Sequence, residues 1–307
     1  MARPTAADER PLGDGAFSGA LLVLAAGACW SLAGLFLRAM ERADSWQVLI
    51  YRSAATLLFV LAMLWHRSRG APWRSIAALG WIGPLAGAAL ASAMLLFIVA
   101  LNLTTVFDVV MVLCISPLLA AGLGRLLLGE RVRRMTWAAM LLAALGVGVM
   151  VHAGLTLGGL SGILLSLAAT LGFALFTVAL RSAKVQDTLP AVAWAGLFGL
   201  LVSLLVVVAA GRSPLVPLHD VALAASMGAL QIGVGMLFFT AGAKRLTAGE
   251  AALLALSEVV LAPVWVWLAF DEVPSRTTLL GGAILLAAML LQTASGLRRR
   301  RPPVGLV

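Results

Sequence analysis

One carboxylate falls in the middle of an apolar stretch: Glu258, within the run from Ala248 to Phe270. At ~1.5 Å of rise per residue it lies near the centre of a bilayer. An ionised side chain there costs roughly 2.5 to 3.5 kcal/mol even on the lenient insertion scale. Such a group can serve as a neutral hydrogen-bonding acid, a proton carrier or a charged partner for a cationic group on a solute. The alternative is a protonated packing contact between helices. In the first half of the chain its counterpart is Ser116, followed by Pro117, and Pro263 lies beyond Glu258. Proline removes a backbone donor and kinks a helix, which frees carbonyls to face a cavity. Interruptions at matching depth in two halves point to a binding site, although helix shaping explains them equally well.

Gln231 and Asn102 are the other polar candidates. Either could hydrogen-bond a ligand or act as glue between helices. Trp30 and Phe173 occupy matching positions and could form two aromatic walls across an internal axis, or pack within the bundle. Asp108 and Glu250 match each other near helix starts, where the helix dipole favours an anion. Glu130 and Glu272 match at helix ends, with Arg131 and Arg133 beside one and Arg276 beside the other, so surface ion pairs are expected. His66, His152 and His219 sit at different ends, and no HExxH, CxxC or GxxxxGK[ST] motif occurs. Metal, cofactor and ATP chemistry are therefore unsupported, and a membrane enzyme would need several reactive groups at one depth. Cys29 and Cys114 read as small buried apolar residues. The stretch Ala26 to Cys29 loosely resembles a lipoprotein cleavage site, but cleavage there would delete the first helix.

The elements that must hold these residues are membrane helices. The 307-residue chain is 62% hydrophobic and 11% charged, with a mean hydropathy of +1.04, against about 25% charge in a soluble domain. It divides into ten apolar stretches near Phe17–Met40, Trp46–Trp65, Arg74–Ala100, Thr104–Leu128, Met135–His152, Gly159–Arg181, Pro190–Ala210, Asp220–Ala243, Ala248–Phe270 and Thr277–Leu297. Each approaches the ~20 residues a helix needs to cross. Their continuous apolarity excludes the alternating strands of a β-barrel. The connecting loops leave no room for a soluble catalytic domain, so any function lies inside the bundle. The net charge of +9 does not signal nucleic acid, because no soluble module exists to present a basic face.

Topology accounts for that charge. Seventeen of the 22 Lys and Arg residues fall in alternate loops and the two tails, ending in the run Arg298 to Arg301. Only Arg38, Arg42, Arg52, Arg212 and Arg276 fall opposite, so the positive-inside rule places both termini in the cytoplasm. The chain also repeats itself. Gly19 matches Gly162, Trp30 matches Phe173 and Arg38 matches Arg181; after a one-residue slip, Asp108 matches Glu250 and Glu130 matches Glu272. A five-helix unit has an odd number of crossings, so its second copy enters from the other side. The loops agree: the turn near Asn102 has no basic residue, whereas its counterpart carries Lys244 and Arg245. The expected fold is an all-α polytopic membrane protein of ten transmembrane helices in two inverted repeats. Residues 17–152 form the first repeat and 158–297 the second, with a linker at 153–157 and tails at 1–16 and 298–307.

Two stretches carry a family resemblance: SPLLAAGLGRLLLGERV from Ser116 to Val132, and AKRLTAGEAALLALSEVVLAPVWVWLAFDEV from Ala243 to Val273. With the ten-helix inverted layout, they resemble the EamA type of the drug/metabolite transporter superfamily. The family often has proline directly after the residue corresponding to Glu258, where this chain has Val259 and places proline at Pro263. The resemblance implies a secondary carrier moving small metabolites out of the cytoplasm by alternating access through a central cavity. In length and layout the chain is most similar to bacterial exporters of amino acids, including aromatic ones. Drug, nucleoside and nucleotide-sugar carriers share the fold; a passive channel and a membrane-embedded enzyme are the more distant alternatives. The expected setting is a bacterial-type inner membrane, the partners are the lipid bilayer and a small-molecule substrate, and proton coupling is one use open to Glu258.

Overall fold

The computed structural model describes residues 14–129, 134–157, 159–183, 185, 187–246, 251, 254–255 and 257–297. Among these, eight helices are long and apolar enough to cross a membrane: Phe17–Arg38, Ser45–Arg67, Ile82–Leu103, Val106–Leu128, Arg134–His152, Leu160–Ser182, Leu189–Ala209 and Leu218–Ala243. Two further apolar helices, Ser257–Phe270 and Arg276–Leu297, occupy the ninth and tenth places. No strand occurs among the described residues. The cause is general: lipid offers no hydrogen bonds, so each crossing segment satisfies its own backbone as a helix.

Helix contacts obey the repeat. If the first helix corresponds to the sixth, the second to the seventh and so on, a pseudo-twofold axis must map every contact onto another. The first helix packs against the eighth and ninth, and the sixth packs against the third and fourth. The second and seventh pair with each other, as do the fifth and tenth. The third lies on the seventh and the eighth on the second. Matched glycines make matched contacts: Gly19 abuts Gly242, Arg245 and Leu246 at the end of the eighth helix, while Gly162 abuts Leu103 and Thr104 at the end of the third. The two turns lie at opposite ends of the bundle. Asn102 donates to Ser45 Oγ at the end of the bundle that holds Arg38, whereas Arg245 donates to Ser18 Oγ at the start of the first helix.

Two interruptions break the helical rule. The fourth helix stops at Leu113 and restarts at Ser116, with Cys114 and Ile115 in a turn and Pro117 in the new first turn, where a missing N–H costs least. The eighth helix widens into a π segment, Met227–Val234, which no periodicity in its sequence announces. By contrast, the helix Ser257–Phe270 continues through Pro263. Of the two proline sites expected to interrupt helices at matching depth, only the one in the first half coincides with a break among the described residues.

Small residues set the close approaches. Gly83 and Gly87 both lie against Trp194 of the seventh helix, and a Cβ at Gly87 would fall onto the Trp194 Cβ. Overpacking of this kind costs about 1–3 kcal/mol, so Gly87→Ala is expected to lower the Tm of the purified protein. A wild-type Tm would show that the third and seventh helices can move apart freely.

Candidate functional site

At the Arg38 end a cavity of about 710 Å³ opens between the two halves, lined by Arg38, Asn102, Thr104, Asp108, Glu272 and Thr278 among others. Its wall is a network joining distant turns. Arg38 Nε donates to Glu272 Oε2 at 2.9 Å and Arg38 Nη2 to the Thr104 carbonyl at 3.0 Å. Glu272 Oε1 accepts from the Val106 N–H at 2.6 Å, capping the fourth helix. Asp108 Oδ2 accepts from the hydroxyls of Thr104 and Thr105, while Thr105 Oγ1 in turn accepts from the Asp108 N–H.

Two expectations change here. Glu272 pairs with Arg38 rather than with Arg276, because the turn after the ninth helix folds over the end of the first. The pair is also half-buried, with side chains 26% and 17% exposed, rather than a surface contact. Asp108 does lie in the first turn of the fourth helix, but Thr105 is the N-cap. Glu130, Arg131, Arg133 and Glu250 lie outside the described residues. A double-mutant cycle with Arg38→Ala and Glu272→Gln should return a coupling of about 1–2 kcal/mol, within the range for contacting residues. Additive losses of Tm would mean that the two side chains stabilise their turns separately.

A second hub on the same end ties the first loop to the eighth helix. The Asp220 carboxylate is fully buried and accepts the backbone N–H groups of Glu41, Arg42 and Ala43 at 3.1, 2.9 and 2.8 Å. Next to it, Asp44 caps the second helix and receives Arg212 Nη1. Sequence reasoning passed over Asp220. A lone aspartate at a helix start carries no signal of what it caps when the capped loop lies 177 to 179 residues away.

Deeper in the bundle, the first helix gathers the remaining polar groups. Gln231, in the π segment, donates through Nε2 to the Trp30 carbonyl at 3.2 Å. The Trp30 ring packs on Phe239 with centroids 5.3 Å apart. Trp265 Nε1 donates to Ser31 Oγ at 2.9 Å, and Gly27 lies against Ser257 and the Glu258 N–H. Glu258 is partly buried. Its carboxylate makes no hydrogen bond or ion pair with a described residue. Ser116 is partly buried where the fourth helix restarts.

The candidates thus separate into groups. Trp30 and Gln231 are bonded to each other, and Glu258 adjoins the same helix one turn away. Asn102 belongs to the outer cavity. The expected pair of aromatic walls does not form: Phe173 packs against Phe176 in a tilted pair with centroids 5.8 Å apart and is 43% exposed. Its neighbour Gly172 takes the face against the third helix, which turns Phe173 outward.

Arg52 is a further correction. Counted by charge alone it belonged with the loops opposite the termini, yet it lies inside the second helix and is 3% exposed. A signal was present, since the apolar stretch from Trp46 to Trp65 contains it. Cys29 is partly buried and Cys114 buried, both as free thiols. Among the described residues, no group of three or more His, Cys, Asp or Glu could hold a metal ion.

The model of the EamA-like transporter family matches residues 17–152 and again 160–294. The chain belongs to that family. One match per half repeats the internal duplication read from the helix contacts. Among curated relatives, an uncharacterized transporter of Vibrio cholerae is 30% identical over 161 residues, covering 50% of this chain and 51% of that protein. Protein RarD of Salmonella typhi is 32% identical over 161 residues, covering 50% and 53%. The chain thus spans about half the length of the curated relatives it matches. A crystal structure superposes with a TM-score of 0.63 at 20% identity, covering 92% of this chain and 99% of that one. That likeness concerns the fold alone. For an EamA-like chain, membership points to transport rather than catalysis.

Proposed function

We propose that this EamA-like protein is a secondary carrier that exports amino acids or related small metabolites across the inner membrane by alternating access. Both termini lie in the cytoplasm, and the Arg38 end faces outward. The observation that carries this reading is the exchange of helix contacts between halves, with polar groups gathered on the first helix at the interface. Two oppositely oriented halves around a shared interior are the usual frame of such carriers. Glu258 is its main polar element, with Gln231 and Trp30 beside it, Ser116 and Pro117 at the matching depth of the other half, and Asn102 at the mouth.

Reconstitution in liposomes tests it. Saturable, competable flux of amino acids supports the proposal. Flux of nucleotide sugars or drugs instead would assign another carrier of the same fold, linear flux a channel, and product formed without a gradient an enzyme. Single cysteines at Asn102 and Lys244 should label from opposite faces. Labelling from one face would end the inverted arrangement and the export reading with it.

A further inference from the structure

Arg52 lies seven residues into the second helix from Ser45, about 10 Å along its axis. Its Nε and Nη1 are sealed from solvent and have no hydrogen-bond partner among the described residues. Only its backbone is used, the carbonyl accepting from Thr56 Oγ1 at 2.9 Å. Arginine stays charged in proteins, and an uncompensated charge inside a membrane bundle is strongly unfavourable. Carboxylates were available at this end of the bundle, for Arg38 and Arg212 each hold one. Arg52 holds none.

The segment packed on the second helix carries a second unmet group of opposite character. The π segment rests on the second helix at Gly228, where a Cβ would collide with the Arg52 carbonyl, and Thr56 Oγ1 reaches the Gly228 carbonyl at 3.4 Å. Three residues further along, Gln231 is 5% exposed. Its Nε2 is committed to Trp30, which leaves Oε1 sealed from solvent and without a partner among the described residues. Arg52 and Gln231 do not satisfy each other. A buried donor fork and a buried acceptor on facing segments are complementary to one molecule bearing an oxyanion and an N–H donor. Wide π turns of this sort recur at functional sites.

We propose that Arg52 binds the carboxylate of the transported solute, with Gln231 Oε1 accepting from an N–H on the same molecule. This rests on the carrier reading above and narrows its substrate class to amino-bearing carboxylates. A carboxylate fits better than a phosphate: Arg52 is a single cation, suited to a bidentate monoanion, and Glu258 in the same bundle would repel a dianion. Nε and Nη1 of Arg52 and Oε1 of Gln231 are shut off from solvent in this conformation, so the solute reaches them when the halves rock apart.

The experiment uses the full-length protein and three probes: L-phenylalanine, phenethylamine without the carboxylate, and phenyl phosphate. Thermal-shift binding and liposome flux are measured for wild type, Arg52→Lys and Arg52→Met. Phenylalanine should bind wild type, with phenethylamine and phenyl phosphate far weaker. Arg52→Met should weaken carboxylate binding by ~30-fold or more, the scale for truncating one member of a buried charge pair, with Arg52→Lys in between. Without ligand, Arg52→Met should melt at or above the wild-type Tm, because it removes an unmet charge. A lower Tm would make Arg52 a structural residue and overturn the proposal. Equal binding of phenethylamine, or unchanged carboxylate binding by Arg52→Met, would overturn it too. If wild type carries only solutes lacking a carboxylate, the Arg52 assignment falls while the carrier reading stands. Flux that never saturates removes the carrier reading, and the site goes with it.

Discussion

Glu258→Gln is expected to cut carrier flux at least tenfold while leaving membrane insertion and Tm close to wild type. The substitution keeps the shape of the side chain and removes only its ability to ionise. Twelve residues separate Glu258 from Phe270 at the end of its helix, about 18 Å along the axis and so over halfway through a ~30 Å hydrocarbon core. The carboxylates at helix starts are engaged: Asp108 by two threonine hydroxyls and Asp220 by three backbone N–H groups. Glu258 has no such partner among the described residues, so it is free to meet a solute or a proton. Flux assays across a range of pH decide the matter. Wild-type flux at every pH would leave Glu258 as a packing residue and remove it from the site.

Asp220→Ala should be the most destabilising of these changes. It leaves the N–H groups of Glu41, Arg42 and Ala43 facing a site from which solvent is excluded. Each unmet buried donor costs about 1–3 kcal/mol, which sets a total of about 3 kcal/mol or more. For a chain of this size that lowers Tm by roughly 6–12 °C. Asp220→Asn should fall between, since an amide offers one acceptor oxygen where the carboxylate offers two. A Tm within a degree of wild type for the alanine variant would mean that water enters and replaces the carboxylate. The first loop would then be loosely held rather than tied to the eighth helix.

The helices, their number and their inverted order were legible because the bilayer imposes length and apolarity on each crossing and charge on alternate loops. Glu258 stood out for the same reason: an ionisable group at mid-span is visible in a linear string. The repeat linked Gly19 to Gly162, and both take up equivalent contacts in the fold. Orientation within the bundle was another matter. Spans that are apolar on all sides carry no face signal, so nothing in the string distinguished Phe173, which turns outward, from Trp30, which turns in. Nor could proximity in sequence choose between Arg276 and Arg38 as the partner of Glu272.

Sequence by itself therefore determined a membrane bundle of two opposed halves with one deep carboxylate, because lipid solvation acts on each residue in its local stretch. Only the tertiary structure decided that Arg38 caps the outer cavity with Glu272, that Asp220 holds the first loop, and that Arg52 and Gln231 are left unmet across a π turn. Those outcomes depend on which helix ends and faces meet. That is settled by the close packing of residues as many as 234 positions apart, which no local pattern encodes.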